Sequence, residues 1–124
     1  MILGIGTDIS KVSRFEKWID NPEMIQRFFN PLEMKSTGSK AHLCQHYAAR
    51  FAAKEAFAKA LGTGFVGFEL KDVFIQNNED GKPFLKVENT AEKKVREIYG
   101  DCNLHVSLSH EKEFATAFVI IETK

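Results

Sequence analysis

The sequence predicts an α+β fold, a mostly antiparallel sheet packed on one long central helix. Three observations lead there. An alanine-rich, helix-forming stretch from about Lys40 to Leu61 ends at a glycine. Segments of β-type composition come in pairs after it, and the order along the chain is strand, helices, then strand, strand, helix, strand, strand. Runs of strands after runs of helices, rather than strict alternation, favour antiparallel pairing over a parallel sheet. At 124 residues, 44% hydrophobic and with eleven Phe, the chain suits a single domain over 1–124 with a packed core.

Met1 to Ile9 is an apolar run with glycines at positions 4 and 6, which reads as a strand lying close to another backbone and ending near Asp8. Asp8 is the first charge in the chain and, taken alone, reads as a turn or cap residue. Ser10 is placed to cap a helix with Val12, Phe15 and Ile19 inward and Lys11, Arg14 and Trp18 on another face, where an Arg and a Trp suit a protein interface. Asn21-Pro22 and Asn30-Pro31 are helix starts, because proline fits a first turn and not an interior. They predict short helices over Glu23 to Phe29 and Leu32 to Ser36, with Phe28 and Phe29 serving the core.

The long helix takes Ser39 as its N-cap and Gly62 as its C-terminal stop, giving roughly 30 Å at 1.5 Å per residue. Phe51, Glu55, Ala58 and Gly62 share one side, so a carboxylate sits in a stripe of apolar or tiny groups. Two readings of Glu55 stand at this point. It pairs with Lys59 on the surface at i,i+4 spacing, or it is a metal or catalytic carboxylate beside a Gly62-Thr63 turn able to hold phosphate. Arg50 and Lys54, four apart, share another face and suggest a phosphate clamp. His42 and His46 have the spacing of two zinc ligands but lack the intervening Glu and a third ligand, which disfavours zinc.

After Gly67 a hairpin is expected, with Phe68 to Gln76 and Pro83 to Val87 joined through Asn77 to Gly81. Asn89 or Thr90 caps a helix to Tyr99 with Ala91, Val95 and Ile98 inward. Leu104 to Leu108 and Phe114 to Ile121 form the last strand pair.

Zero formal net charge argues against a general nucleic-acid binder, although residues 1–67 carry +3 and residues 68–124 carry −3. Cys44 and Cys102 are too few for a disulfide framework, and no run is a secretory signal or a membrane span, so a cytoplasmic location is the default. There is no P-loop, dinucleotide fingerprint or Gly-x-Ser-x-Gly elbow.

Three stretches together carry more than any one residue. They are Gly4-Ile-Gly-Thr-Asp-Ile with Arg14-Phe15, the run Arg50 to Gly64, and His105-Val-Ser-Leu-Ser-His with Ala115-x-Ala-Phe-Val-Ile, with Gly81-Lys-Pro and Phe29-Asn-Pro-Leu-Glu between them. In this order they closely resemble the small bacterial holo-acyl-carrier-protein synthases, a type of 4′-phosphopantetheinyl transferase. The resemblance implies transfer of phosphopantetheine from coenzyme A to a serine of acyl carrier protein in fatty acid biosynthesis, with Mg²⁺ and release of adenosine 3′,5′-bisphosphate. It implies Asp8 and Glu55 on the metal, which suits an ion usually held by one or two carboxylates plus substrate phosphates. It implies coenzyme A contacts from Arg50, Lys59, Gly62, Thr63, Pro83 and His105. The general base is left open among Glu55, His105 and a metal-bound water. Arg14, Lys17 and Arg27 are implied to dock the acidic carrier, though this chain has Asn21, Met24 and Phe28 where the family often carries further basic residues. A homotrimer with active sites at subunit boundaries is implied as well.

Overall fold

The computed structural model describes residues 1–124. Its elements are β1 (Ile2–Lys11), a 3-10 turn at Val12–Phe15, α1 (Glu16–Ile19), α2 (Pro22–Phe28), a 3-10 turn at Pro31–Glu33, α3 (Lys40–Leu61), β2 (Val73–Asn77), β3 (Pro83–Val87), α4 (Asn89–Tyr99), β4 (Cys102–His110) and β5 (Phe114–Thr123). The strands form two antiparallel sheets, one ordered β1-β5-β4 and one of β2 and β3.

The central helix α3 has the predicted bounds. Ser39 accepts from the His42 amide at its start, and Gly62 closes it in the left-handed region at φ 82°, its N–H bonded to the carbonyls of Ala58 and Lys59. One side packs on the three-stranded sheet and buries Ala52, Ala56, Phe57 and Ala60 with Ala117, Val119 and Ile121 of β5. Nearer its start, Tyr47, Ala48 and Phe51 join Phe15, Trp18 and Phe29 in a second, aromatic cluster.

β1 lies against α3 backbone to backbone, as its glycines predict. A Cβ built on Gly6 would collide with the Ala56 carbonyl oxygen, and one on Gly4 with that of Ala60. Because side chains alternate along a strand, Gly4, Gly6, Asp8 and Ser10 face α3, while Ile5, Thr7 and Ile9 face away. β5 and β4 continue that outer face with Phe114, Phe118, Ser107 and His105, and nothing in the chain covers it: Ile5 is 57% exposed, Ile9 62% and Phe118 43%.

Several local expectations are corrected. β1 runs on to Lys11, because pairing with β5 continues to Phe114, so Ser10 is a buried strand residue and caps nothing. Trp18 is buried against Phe15, Phe28, Phe29 and Phe51 and is not an exposed interface residue. The segment after Asn30 forms only one 3-10 turn, closed by a reciprocal capping box between Asn30 and Glu33. β2 begins at Val73, because Leu70–Asp72 is a 3-10 turn. Neither Asn89 nor Thr90 caps α4 with its side chain; the Thr90 hydroxyl donates to buried Asp72 at 2.5 Å and accepts from the Glu69 amide. Ile98 is exposed.

Candidate active site

Asp8 comes from the α3-facing side of β1 and Glu55 from the facing side of α3. The strand's glycines let the two backbones approach, and this closeness brings two acidic side chains together. Asp8 is mostly buried; its Oδ1 accepts from Lys59 Nζ at 3.1 Å and its Oδ2 from the Ser10 hydroxyl at 3.4 Å. Lys59 Nζ also donates to the Thr7 carbonyl at 3.0 Å. The surface pair expected between Glu55 and Lys59 is therefore absent, since Lys59 reaches across to β1 instead. Glu55 has no hydrogen-bond partner, and burial together with the nearby Asp8 charge raises its pKa above the usual carboxylate value, against the opposing pull of Lys59 and Arg14.

Gly62 and Thr63 follow one turn beyond Lys59. The Thr63 hydroxyl donates to the Gly64 carbonyl at 3.0 Å, while Gly62 is exposed with open space around its Cα. Arg14 is also close. Its guanidinium lies 5.1 Å from the Phe51 ring centroid and 5.7 Å from those of Phe15 and Trp18, an aromatic platform that places a cation beside the carboxylates. Lys17 is exposed on the next turn, and Arg27 lies over the Phe28 ring at 5.3 Å.

Arg50 and Pro83 belong to a different place. They line a cavity of about 270 Å³ with Lys35, His46, Asn77 and His110, and neither Asp8, Glu55 nor Lys59 reaches it. Arg50 and Glu55 are five residues apart, which turns them about 140° from each other around the helix. One Nη of Arg50 donates to the His46 carbonyl at 3.3 Å, and its Nε is buried without any partner.

Lys54 is not half of a phosphate clamp. Its ammonium is 1% exposed and donates all three protons inside the fold, to Glu33 Oε1 at 2.7 Å, the Leu70 carbonyl at 3.0 Å and the Val73 carbonyl at 2.5 Å. A lysine has three donors, so none remains for a ligand. Glu33 is equally saturated: it also accepts from the amides of Asn30 and Ile75, and its backbone carbonyl takes a 2.6 Å bond from His46. Glu33 thus underlies His46, Arg50 and Lys54, three basic residues at four-residue spacing. The sequence reading missed this role, although Asn30-x-x-Glu33 is a legible capping box. It also gave no role to Lys35 or His110. His105 sits on the outer face of the sheet, bonded to Glu122 at 2.9 Å, on the opposite side from Asp8. His42 and His46 gather no third ligand, and no group of three or more His, Cys, Asp or Glu exists that could hold a metal by itself.

Residues 4–119 match the model of the 4′-phosphopantetheinyl transferase superfamily. The chain belongs to that family. Over 98% of its length it is 50% identical to the holo-[acyl-carrier-protein] synthase of Treponema denticola, covering 99% of that protein. It is 35% identical to the holo-(acyl-carrier-protein) synthase of Bacillus anthracis, solved in complex with CoA (3′,5′-ADP), covering 100% of this chain and 99% of that one at a TM-score of 0.78. The Helicobacter pylori holo-[acyl-carrier-protein] synthase in complex with coenzyme A is 29% identical, with a TM-score of 0.71 over 95% of this chain and 99% of its own. The resemblance seen in the sequence motifs therefore extends over the whole phosphopantetheinyl transferase fold, two sheets and a long helix included.

Proposed function

We propose that the protein transfers the 4′-phosphopantetheine group of coenzyme A to a serine hydroxyl of apo acyl carrier protein, with Mg²⁺ as cofactor, in fatty acid biosynthesis. The observation that carries this reading is the meeting of Asp8, Glu55 and Lys59 beside the Gly62 turn, in a transferase-family chain half identical to a holo-[acyl-carrier-protein] synthase. In the reaction the serine Oγ bonds to the phosphorus that carries pantetheine. The phosphoanhydride bond breaks, and adenosine 3′,5′-bisphosphate leaves with that electron pair.

The residues fit Mg²⁺. Two carboxylates converge, Glu55 has no other partner, and their mutual repulsion is the kind a divalent cation relieves. Two carboxylates without a third protein ligand suit an ion that keeps waters and takes its remaining oxygens from substrate phosphates. When bound, Mg²⁺ would neutralise charge building on the leaving phosphate. Lys59 carries a positive charge to the same phosphates, and the open Gly62 turn lets them approach the backbone. Of the two side chains considered for taking the serine proton, Glu55 lies in this half of the site and His105 lies across the sheet.

Arg50, Pro83, Lys35 and His110 would bind the nucleotide end of coenzyme A. Because Arg50 occupies a face of α3 turned away from Glu55, the two groups would complete one coenzyme A site across a boundary between subunits. That separation supports a homotrimer with sites between subunits. The uncovered face of Ile5, Ile9 and Phe118 would meet its copies at the centre, and His105 would then fall at a boundary. Arg14 and Lys17 would receive the acidic carrier beside the carboxylates. No helix is long and apolar enough to cross a membrane, and the proposed location is cytoplasmic.

Incubation with coenzyme A, Mg²⁺ and apo carrier protein should add one phosphopantetheine to the carrier, read by intact mass. Absence of that addition at saturating substrates would refute the proposal.

A further inference from the structure

The cavity beside Arg50 holds two cationic donors, the Lys35 ammonium and the Arg50 guanidinium, among side chains such as His42, Gln45, Asn77 and His110 that both donate and accept. His46 is the one whose donor and acceptor ends the structure distinguishes. One of its ring nitrogens, Nε2, lies 2.6 Å from the Glu33 carbonyl oxygen. A carbonyl only accepts, so Nε2 must carry the hydrogen, and in a neutral imidazole the other nitrogen, Nδ1, is then a bare acceptor. Nδ1 has no partner in the chain, and the ring lines the cavity. Desolvation, with Arg50 adding repulsion, pushes the pKa of His46 down to about 4, which keeps the acceptor available near neutral pH. One turn along the same face, Arg50 Nε is a buried donor without a partner. A ligand that completes both must accept at Arg50 and donate at His46. A fully ionised phosphate or pyrophosphate can only accept, and its oxygens would be repelled by the Nδ1 lone pair.

We infer that His46 is a specificity-determining residue of this cavity, accepting a hydrogen bond from the nucleoside part of the substrate and so distinguishing a nucleotide from a bare phosphate. The inference rests on the reading of this cavity as the nucleotide end of the coenzyme A site. Adenosine 3′,5′-bisphosphate offers only two donors, the exocyclic amino group of adenine and the ribose 2′-hydroxyl, so two analogues separate the sources. One is purine riboside 3′,5′-bisphosphate, in which hydrogen replaces the amino group. The other is the 2′-deoxy nucleotide.

Calorimetric titration of the whole protein with all three compounds should find one analogue about tenfold weaker than the parent, the loss expected when an acceptor goes unpaired. His46→Leu should bind that analogue and the parent equally. His46→Gln, whose amide can donate to Glu33 while its oxygen accepts from the ligand, should keep the difference. Should the Leu variant fail to fold, His46→Phe keeps the ring volume and serves in its place. The inference is overturned if the wild-type protein binds both analogues within twofold of the parent, or if the apolar variant still discriminates. A wild-type protein that does not bind adenosine 3′,5′-bisphosphate at all would instead bring down the assignment of the cavity, and this inference with it.

Discussion

Burial first, and then the nearby Asp8 charge, make Glu55 hold its proton more tightly than a free carboxyl, while Lys59, bonded to Asp8, pulls the other way. In Asp8→Asn the repulsion disappears and Lys59 is released toward Glu55, so the Glu55 pKa should fall toward the ordinary range in a carbon-detected NMR titration. The same variant, and Glu55→Gln, should lose on the order of 10²–10³ in kcat if the two carboxylates bear on the reacting phosphates. His46 supplies a second titration with the opposite sense. Its folded pKa of about 4 lies below the unfolded value, so the unfolded chain takes up its proton first as pH falls. The stability linked to it is complete above about pH 6.5 and is lost progressively as pH drops toward about 4. The loss should amount to no more than about 2 kcal/mol, given the ring's partial exposure. Denaturant melts at several pH values should show this loss in the parent and not in His46→Gln. At this scale the sequence was legible where a residue's neighbours are in its own helix or strand. Glu55's stripe and Lys59's side were readable, whereas the Lys59–Asp8 contact joins residues 51 apart and leaves no periodic trace. Lys54 misled for a related reason: a lysine at helical spacing from an arginine reads as half of a phosphate clamp. Only the fold reveals that Glu33 and two carbonyls take all its protons.

At the scale of elements, α3 was the most legible part, because composition, cap and stop all agreed on its limits. The ends of β1 and β2 were not, since pairing with a partner strand decides them and no local signal does. The glycines of β1 were informative in advance, and their function is steric. Gly6→Ala would place a methyl against the Ala56 carbonyl, forcing strand and helix apart. The expected cost is about 1–3 kcal/mol, read as a lower midpoint in urea. The buried Lys54–Glu33 pair ties α3 to the strand at Val73 and to the turn below the cavity beside Arg50. Removing either partner alone leaves a buried unpaired charge, about 3–5 kcal/mol by comparison with similar pairs.

For the whole molecule, Arg50 and Glu55 lie on different faces of α3, and a site shared between subunits makes a prediction that a site within one chain does not. Asp8→Asn spoils the carboxylate group and leaves the Arg50 cavity intact; Arg50→Ala does the reverse. Each variant alone should be nearly inactive. If sites form between subunits, mixing the two under conditions that exchange subunits should restore a substantial fraction of activity, because some boundaries then combine two intact halves. An assay that stays at the level of the separate variants after verified exchange would argue for sites within one chain. The family resemblance implied sites between subunits, but the residue pattern alone did not tell which face of β1 stays uncovered. Its polarity becomes visible only when the helix is seen on the glycine side.

Most helix-to-sheet contacts are cushioned by side chains that can change rotamer, so the spacing of the layers drifts as a core is mutated. Between β1 and α3 there is no such cushion at Gly4 and Gly6. The opening between Asp8 and Glu55 is therefore fixed much as a caliper is locked, by main chain against main chain. Substitutions elsewhere in the core can loosen the protein without changing the width of this gap.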